Sequence, residues 1–361
     1  MAGIYIHIPF CKQACHYCNF HFSASTKLLD PMVKAICKEI ELQQSFFEEP
    51  NLTIDTIYFG GGTPSLLPTQ DTEQILAAIK KHFTLSPTVE ITLEANPDDI
   101  SREKLTSFSS IGINRLSMGV QSFVDEDLIW MNRAHRSKAA MEAIELAKEV
   151  GISNISIDLI YGIPTLTTEN WIQNIEKAVE LEVPHLSCYA LTVEPKTALE
   201  RFIKNGIIRP VDDAVAARHH AVLVEKTAAV GYHNYEFSNF CIPGWESQSN
   251  SSYWMRKPYL GVGPSAHSYD VVSRSWNVSN NPRYIKSIEK GVLPLTTEIL
   301  TTENQYNEYI MTRLRTAGGV SIDEIGAFFG LKFQEYLKQN MQQHIALGLL
   351  ICEGDLIKAT K

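Results

Sequence analysis

The sequence predicts an α/β protein: an open, partial TIM-like (β/α)6 barrel over residues 1–292, then a small, mostly helical, winged-helix-like module over 293–361. Three observations point there. Short β-rich runs alternate with helix-length segments until six strands are counted, which implies a parallel sheet with right-handed crossovers and is too few units to close the usual ring of eight. Polar or glycine-rich residues recur where these strands end, the end at which parallel folds carry their chemistry. After about Leu293 the alternation gives way to helices and one hairpin.

Residues 3–8 read as a buried strand, short and rich in Ile and Tyr. Pro9 ends it, because proline cannot donate to a sheet ladder. Cys11, Cys15 and Cys18 follow on the loop beyond. A helix is expected over 31–47, with Pro31 in its first turn. A strand over 53–59 runs into Gly60-Gly61-Gly62-Thr63-Pro64-Ser65. Helix 69–83 and strand 89–93 come next, the strand ending in Glu94-Ala95-Asn96-Pro97. Helix 102–110 and strand 114–118 lead into Gly119-Val120-Gln121-Ser122-Phe123. Helix 138–150, strand 155–160 with Asp158 inside it, helix 169–181 and strand 185–191 complete the series. In the C-terminal part, Thr302 with Gln305 and Ser321 with Glu324 look like capping boxes that open two helices. A third helix is expected over 333–347, and 348–357 reads as a hairpin.

With 361 residues, 44% hydrophobic and 20% charged, the chain has an ordinary globular make-up, long enough for one large domain and one small one. A net charge of −9 and a pI near 5.7 argue against broad nucleic-acid binding or a polybasic membrane patch. No apolar run approaches the ~20 residues that span a bilayer. The N-terminus lacks the basic and apolar regions of a signal peptide. A cytoplasmic protein with reduced thiols is expected.

Thiolates are soft ligands for iron–sulfur clusters, zinc or copper(I). Gaps of three and two residues let one loop turn the sulfurs of Cys11, Cys15 and Cys18 towards one cluster. Three cysteines satisfy three irons of a [4Fe–4S] cluster and leave the fourth open. The spacing alone also admits a structural zinc completed by His7, His16 or His21. A disulfide fits less well, because seven cysteines is an odd count. Cys37, Cys188, Cys241 and Cys352 are scattered through apolar stretches and read as buried small hydrophobes. Gly60, Gly61 and Gly62 leave room for a ligand's amino and carboxylate groups to approach the backbone. A phosphate loop is the alternative, but no lysine follows as a P-loop requires. Glu94 can accept hydrogen bonds from ribose hydroxyls or an ammonium, Gln121 and Asp158 offer polar contacts, and Arg133 can pair with a carboxylate.

The run Cys11-x3-Cys15-x-Tyr17-Cys18 resembles the cluster loop of the radical S-adenosylmethionine (SAM) superfamily. That resemblance implies an open iron chelated by the amino and carboxylate groups of SAM. It also implies an aromatic before the third cysteine, a place Tyr17 takes. Further runs resemble the porphyrin-related members of the superfamily: Tyr5-Ile6-His7-Ile8-Pro9, Gly60-Gly61-Gly62-Thr63-Pro64, Glu94-Ala95-Asn96-Pro97, 115–123 and 157–164. Carried over residue by residue, the resemblance implies a SAM site of Tyr5, Tyr17, Gly61, Gly62, Thr63, Glu94, Gln121, Arg133 and Asp158. Thr192 and His267 fall where that pattern has further contacts. No residue is assigned a catalytic role.

Two activities are open within this family. Oxygen-independent coproporphyrinogen III oxidases decarboxylate two propionates to vinyls by radical chemistry. HemW-type haem chaperones bind haem and pass it on. The oxidase pattern carries a further cysteine two residues past the third ligand. Phe20 stands there, as in the chaperone branch. The segments 235–240, with Pro243-Gly244, and 259–268 also resemble the chaperones. The expected function is therefore that of a haem chaperone in porphyrin metabolism, with a [4Fe–4S] cluster, SAM and haem as ligands. A haem-acceptor protein and an electron donor such as a flavodoxin or ferredoxin are the expected partners. One motif departs: the chaperones' His-Asn-x-x-Tyr-Trp is here Ser249-Asn250-Ser251-Ser252-Tyr253-Trp254. A hydroxyl is a poor iron ligand beside an imidazole, which makes His267, His233 and Cys241 the replacement candidates. Tyr253 and Trp254 can pack on a porphyrin face or in the core. The C-terminal module reads as a lid or a partner platform. The family continues with a helix beyond the hairpin, so a shortened C-terminus is also an expectation.

Overall fold

The computed structural model describes residues 2–47, 49 and 52–360. The Ile-rich N-terminus forms β1 (Ala2–Ile8), in which only Tyr5 is not fully buried. Five more strands follow in the expected alternation: β2 (Ile54–Gly61), β3 (Leu85–Ala95), β4 (Arg115–Gln121), β5 (Ile155–Tyr161) and β6 (His185–Ala190). All six run parallel in chain order. Helices α1 (Leu29–Leu42), α2 (Thr69–His82), α3 (Arg102–Ile111), α4 (Asp125–Trp130), α5 (Ser137–Glu149) and α6 (Thr168–Glu180) connect them.

The parallel strands alternate core and interior as period two requires. In β5, Ile157 and Leu159 face the helices, and Asp158 and Ile160 face the cavity inside the barrel. In β3 the same alternation sends Leu93 to the core and Glu94 to the cavity. β3 starts at Leu85, four residues before the expected 89, and Pro87 is tolerated near its start. The register against β2 shifts there, between Ile54 and Thr56, which accommodates a residue without an N–H. Helix α1 stops at Leu42 rather than 47. Phe46 and Phe47 turn back and pack edge to face, with ring centroids 5.0 Å apart.

Beyond β6 the chain departs from the simple alternation. Helices α7 (Ala198–Lys204) and α8 (Asp213–Ala229) precede the antiparallel pair β7 (His233–Glu236) and β8 (Asn239–Cys241), which extends the sheet past β6. Helix α9 (Gln248–Trp254) leads to β9 (Tyr259–Val262), which lies parallel to β1 on its other side. β10 (His267–Tyr269), β11 (Ser273–Asn277), α10 (Asn281–Glu289) and β12 (Leu295–Ile299) complete that flank. The twelve strands form one sheet, ordered β12-β11-β10-β9-β1-β2-β3-β4-β5-β6-β8-β7. β12 still pairs with β11 along its whole length, so the large sheet reaches past residue 293 to Ile299.

Glu39 of α1 ties this flank to the barrel. It is fully buried, yet it pairs with no cation among the described residues. It accepts instead from the Gly263 N–H (2.8 Å), Asn277 Nδ2 (2.7 Å), Tyr284 Oη (2.6 Å) and Gln43 Nε2 (3.1 Å). Burial raises its pKa above the ordinary value.

The remaining elements are α11 (Thr302–Leu314), β13 (Val320–Ser321), α12 (Ile322–Phe329), α13 (Leu331–Ala346), β14 (Leu350–Glu353) and β15 (Leu356–Ala359). They enclose a second core built on Tyr306, Tyr309, Ile325, Leu337 and Ile357. β13 pairs with β15, giving the three-stranded order β13-β15-β14 behind the helices. Ser321 caps α12, accepting from the Glu324 N–H at 3.0 Å. The expected box is not closed, because the Glu324 carboxylate accepts from Tyr309 Oη instead. The cap of α11 is Thr301, one residue before the expected Thr302. Cys352 is exposed on the hairpin and Cys37 is half-buried; only Cys188 and Cys241 are buried small hydrophobes.

Candidate functional site

The cysteine loop rests on the end of β2. The Gly62 N–H donates to the Ile8 carbonyl at 2.9 Å and the Thr63 N–H to the Phe10 carbonyl at 2.7 Å. A Cβ on Gly62 would lie 2.6 Å from the Phe10 oxygen and 2.8 Å from the Ile8 oxygen, so only glycine lets the two segments meet. Gly61 adopts φ +105° and donates its N–H to Glu94 Oε2 at 3.1 Å. The N–H groups of Gly61, Gly62 and Thr63 are thus used within the chain. Gly61 and Gly62 seat the loop as well as lining the cavity that the thiols face.

The three thiols are half-buried and face a cavity of about 620 Å³ at the C-terminal end of the parallel strands. Cys11 Sγ accepts from Thr63 Oγ1 at 3.5 Å, and Cys15 Sγ accepts from the Arg133 guanidinium at 3.3 Å. Burial pushes the Cys18 thiol up to about 11 and raises that of Cys11. The Cys11 and Cys18 sulfurs are therefore protonated at neutral pH unless a metal displaces the protons.

Arg133 is held rigidly. It donates to Asn96 Oδ1 at 2.6 Å and to the Gly119 carbonyl at 2.7 Å, while its buried Nε has no protein partner. Asn96 also donates to Thr63 Oγ1 at 3.2 Å, so one amide links the arginine to the cysteine loop. The sequence marks Asn96 only as part of the Glu94-Ala95-Asn96-Pro97 run; its bridging role appears with the fold. Glu94 accepts from Tyr58 Oη at 2.9 Å as well as from Gly61, and burial, then the nearby Asp158, raises it to about 7. Burial likewise lifts Asp158 to about 6, against the pull of Arg115 and Arg133. Gln121 takes φ +68° at the end of β4 and is nearly buried. A non-glycine residue in that region stores strain, a frequent mark of a functional position.

Cys11, Cys15, Tyr17, Cys18, Gly61, Gly62, Thr63, Glu94, Gln121, Arg133, Asp158 and Thr192 all line this one cavity. Tyr5 does not. Its ring stacks on Tyr58 at 6.1 Å and its hydroxyl donates to His7 Nδ1 at 3.2 Å, one layer below. His267 lies on β10 with its ring stacked on Trp276 at 5.9 Å. The motif on α9 is elsewhere again. Glu90, midway along β3, accepts from the Gln248 and Ser249 N–H groups, each at 3.2 Å. Ser249 and Tyr253 line a small void of about 10 Å³ with Gly3, Ile4 and Thr56, near the N-terminal ends of β1 and β2. That is the barrel end opposite the cysteines. Ser247 caps α9, its hydroxyl accepting from the Asn250 N–H at 3.2 Å, and Tyr253 packs edge-on against Tyr259 at 4.6 Å. Trp254 lies 4.7 Å beneath the Arg315 guanidinium, whose other side reaches the cavity.

The histidines that would complete a zinc site are engaged. His7 Nε2 donates to the His21 carbonyl at 2.9 Å, and His21 Nε2 meets Asn281 Oδ1 at 2.7 Å. His16 Nδ1 donates to the Trp130 carbonyl at 2.8 Å. Among the described residues no group of three or more His, Cys, Asp or Glu side chains is gathered as a single-ion site.

The radical SAM superfamily model matches residues 5–178, and that of the HemN C-terminal domain matches 300–361. The heme chaperone HemW of Bacillus subtilis is 36% identical over 333 residues, covering 91% of this chain and 87% of its own. The chain belongs to the HemW family of the radical SAM superfamily. HemW relatives from Mycobacterium tuberculosis and Escherichia coli are 32% and 31% identical, covering 99% and 96% of this chain and 90% and 91% of theirs. The solved coproporphyrinogen III oxidase (HemN) of Escherichia coli superposes with a TM-score of 0.82 at 22% identity, over 99% of this chain and 86% of that one. It therefore shares the fold. Superfamily membership implies a [4Fe–4S] cluster and SAM as cofactors.

Proposed function

We propose that this HemW-family chain is an iron–sulfur, SAM-binding haem chaperone, which binds haem and passes it to an acceptor protein. The observation that carries the reading is the 31–36% identity to named haem chaperones along nearly the whole chain. Phe20, standing where the oxidase pattern has its further cysteine, supports it.

Cys11, Cys15 and Cys18 hold the cluster. The residues present fit that group: three thiols face one cavity, and the loop carrying them is seated on glycine at Gly62. When bound, the cluster supplies an electron and an open iron for the amino and carboxylate groups of SAM. The orphaned Nε of Arg133 suits a SAM carboxylate. Glu94 and Asp158 take the ammonium or the ribose, Gln121, Thr63 and Thr192 add polar contacts, and Tyr17 closes the loop side. Tyr5 acts from behind, through Tyr58. Haem is cargo here rather than a resident cofactor. The acceptor protein and a flavodoxin- or ferredoxin-like electron donor belong to the same proposal, as does a cytoplasmic location. No helix among the described residues is long and apolar enough to cross a membrane. We place the division between barrel and C-terminal module after β12, near residue 300 rather than 293, because β12 still belongs to the large sheet.

The test is an anaerobic one. Haem is titrated into the reconstituted protein, and coproporphyrinogen III is supplied separately with SAM and a reductant. Saturable haem binding without vinyl product is expected. Formation of the vinyl product would overturn the chaperone reading in favour of the oxidase.

A further inference from the structure

Three cations line the cavity among the described residues, and two are committed. Lys12 pairs with Asp98 at 3.1 Å and with Asp99. Arg133 uses its terminal nitrogens on Cys15, Asn96 and the Gly119 carbonyl, and its remaining Nε is the group assigned to the SAM carboxylate. The third, Arg315, comes from the C-terminal module, immediately after α11. Its one ion pair is long, 3.4 Å to the buried Glu236, whose other oxygen already accepts from the Ser238 N–H and from Asn239. Its guanidinium lies against two aromatic rings, 4.7 Å from Trp254 and 5.6 Å from Phe237.

The backbone around Arg315 is fixed as well. The Phe237 N–H donates to the Arg315 carbonyl at 2.9 Å, and the Ala317 N–H donates to the Tyr235 carbonyl at 3.0 Å. This two-bond clasp joins the C-terminal module to the barrel wall. It delivers a stacked, partly exposed guanidinium to the wall of the cavity. The walls there include Tyr189 and Phe237, 44% and 53% exposed, which is an unusual allowance of open aromatic surface inside a binding site. A planar apolar ligand with a carboxylate arm matches open aromatic faces beside a preorganised fork of donors.

We propose that Arg315 is the carboxylate-binding residue for the porphyrin, and that Trp254 is its positioning residue. The Tyr253-Trp254 segment of the altered motif then acts through Arg315 across the barrel, and touches no porphyrin itself. The inference rests on the haem-chaperone reading for its ligand class. It adds that the site is incomplete without the C-terminal module.

The probes are haem and its dimethyl ester, titrated by Soret absorbance into the full-length, reconstituted protein. The wild type should bind the free acid about tenfold tighter than the ester, the scale of one charge-assisted hydrogen bond. Arg315→Gln should weaken haem about tenfold and erase the acid-over-ester preference. Arg315→Lys should keep part of it. Trp254→Ala should reduce the preference, and Trp254→Phe should restore most of it, which a merely structural tryptophan would not do. An undiminished preference in Arg315→Gln overturns the proposal. So does equal binding of acid and ester by the wild type, a measurement that needs no variant to fold. If the wild type binds no haem, the chaperone reading fails separately. Coproporphyrin III against its tetramethyl ester then decides Arg315, and the lack of any acid preference there also overturns it.

Discussion

Glu94 offers the sharpest quantitative test of the site. Its carboxylate is buried beside Asp158 and is raised from an ordinary value of 4.5 to about 7. Because the folded-state pKa lies above the unfolded one, the folded state binds the extra proton. The stabilisation is complete below pH 4.5 and is lost as pH rises through about 7. At 1.36 kcal/mol per pH unit, the span from 4.5 to 7 corresponds to about 3 kcal/mol of apoprotein stability. Glu94→Gln removes that titration without orphaning its partners. The amide oxygen can accept from the Gly61 N–H and the amide nitrogen can donate to Tyr58 Oη, the two groups that Glu94 now bonds. The expected outcome is a variant more stable than wild type at pH 8.5 by up to about 3 kcal/mol, with the gap closing towards pH 4.5. Asp158, raised to about 6, gives both proteins a slope of the same sign at lower pH. Urea denaturation of the reduced apoprotein across this range measures the effect. SAM binding should move the other way, weakening roughly tenfold or more as the ammonium loses its anion. A variant no more stable than wild type at pH 8.5, or a gap independent of pH, would refute the reasoning.

The other expectations concern the cysteine loop and the α9 motif. Replacing Cys11, Cys15 and Cys18 together by Ala should abolish iron and sulfide uptake on anaerobic reconstitution; a full cluster in that variant contradicts the assignment. Gly62→Ala drives a methyl against two backbone oxygens 2.6 and 2.8 Å away. It should lower both cluster loading and the urea midpoint, by roughly 1–3 kcal/mol of stability, and an unchanged protein would show that the loop yields easily. Ser249→His forces an imidazole into a void of about 10 Å³. It should cost roughly 1–3 kcal/mol and leave the Soret spectrum of bound haem unaltered. A new histidine-ligated spectrum would place α9 at the haem iron.

The barrel was legible because its signals are local. Alternating apolar runs, Pro9 after β1 and the turn residues after each strand fixed the six parallel strands to within a few residues. Glu94, Gln121 and Asp158 could be placed on one rim because period two in a parallel sheet leaves little choice of face. The flank β9–β12 was not legible, since its strands are short and β9 pairs with β1 across more than 250 residues of chain. Glu39 gave no sign of its role for the same reason: its partners Gly263, Asn277 and Tyr284 come from that flank. Arg315 carries no local motif, and only the clasp between 235–237 and 315–317 brings it to the cavity. The α9 motif misled about location. A sequence resemblance marks residues that belong together, and the fold puts Ser249 at the opposite end of the barrel from Cys18.

The most direct measurement is the electron paramagnetic resonance spectrum of the reduced, reconstituted protein before and after SAM is added. A spectrum with four irons per chain that changes on adding SAM, and does so more weakly in an Arg133→Gln variant, is the expected result. A cluster whose spectrum ignores SAM, or a bound metal that proves to be zinc in a closed protein shell, would contradict the open iron on which the site depends.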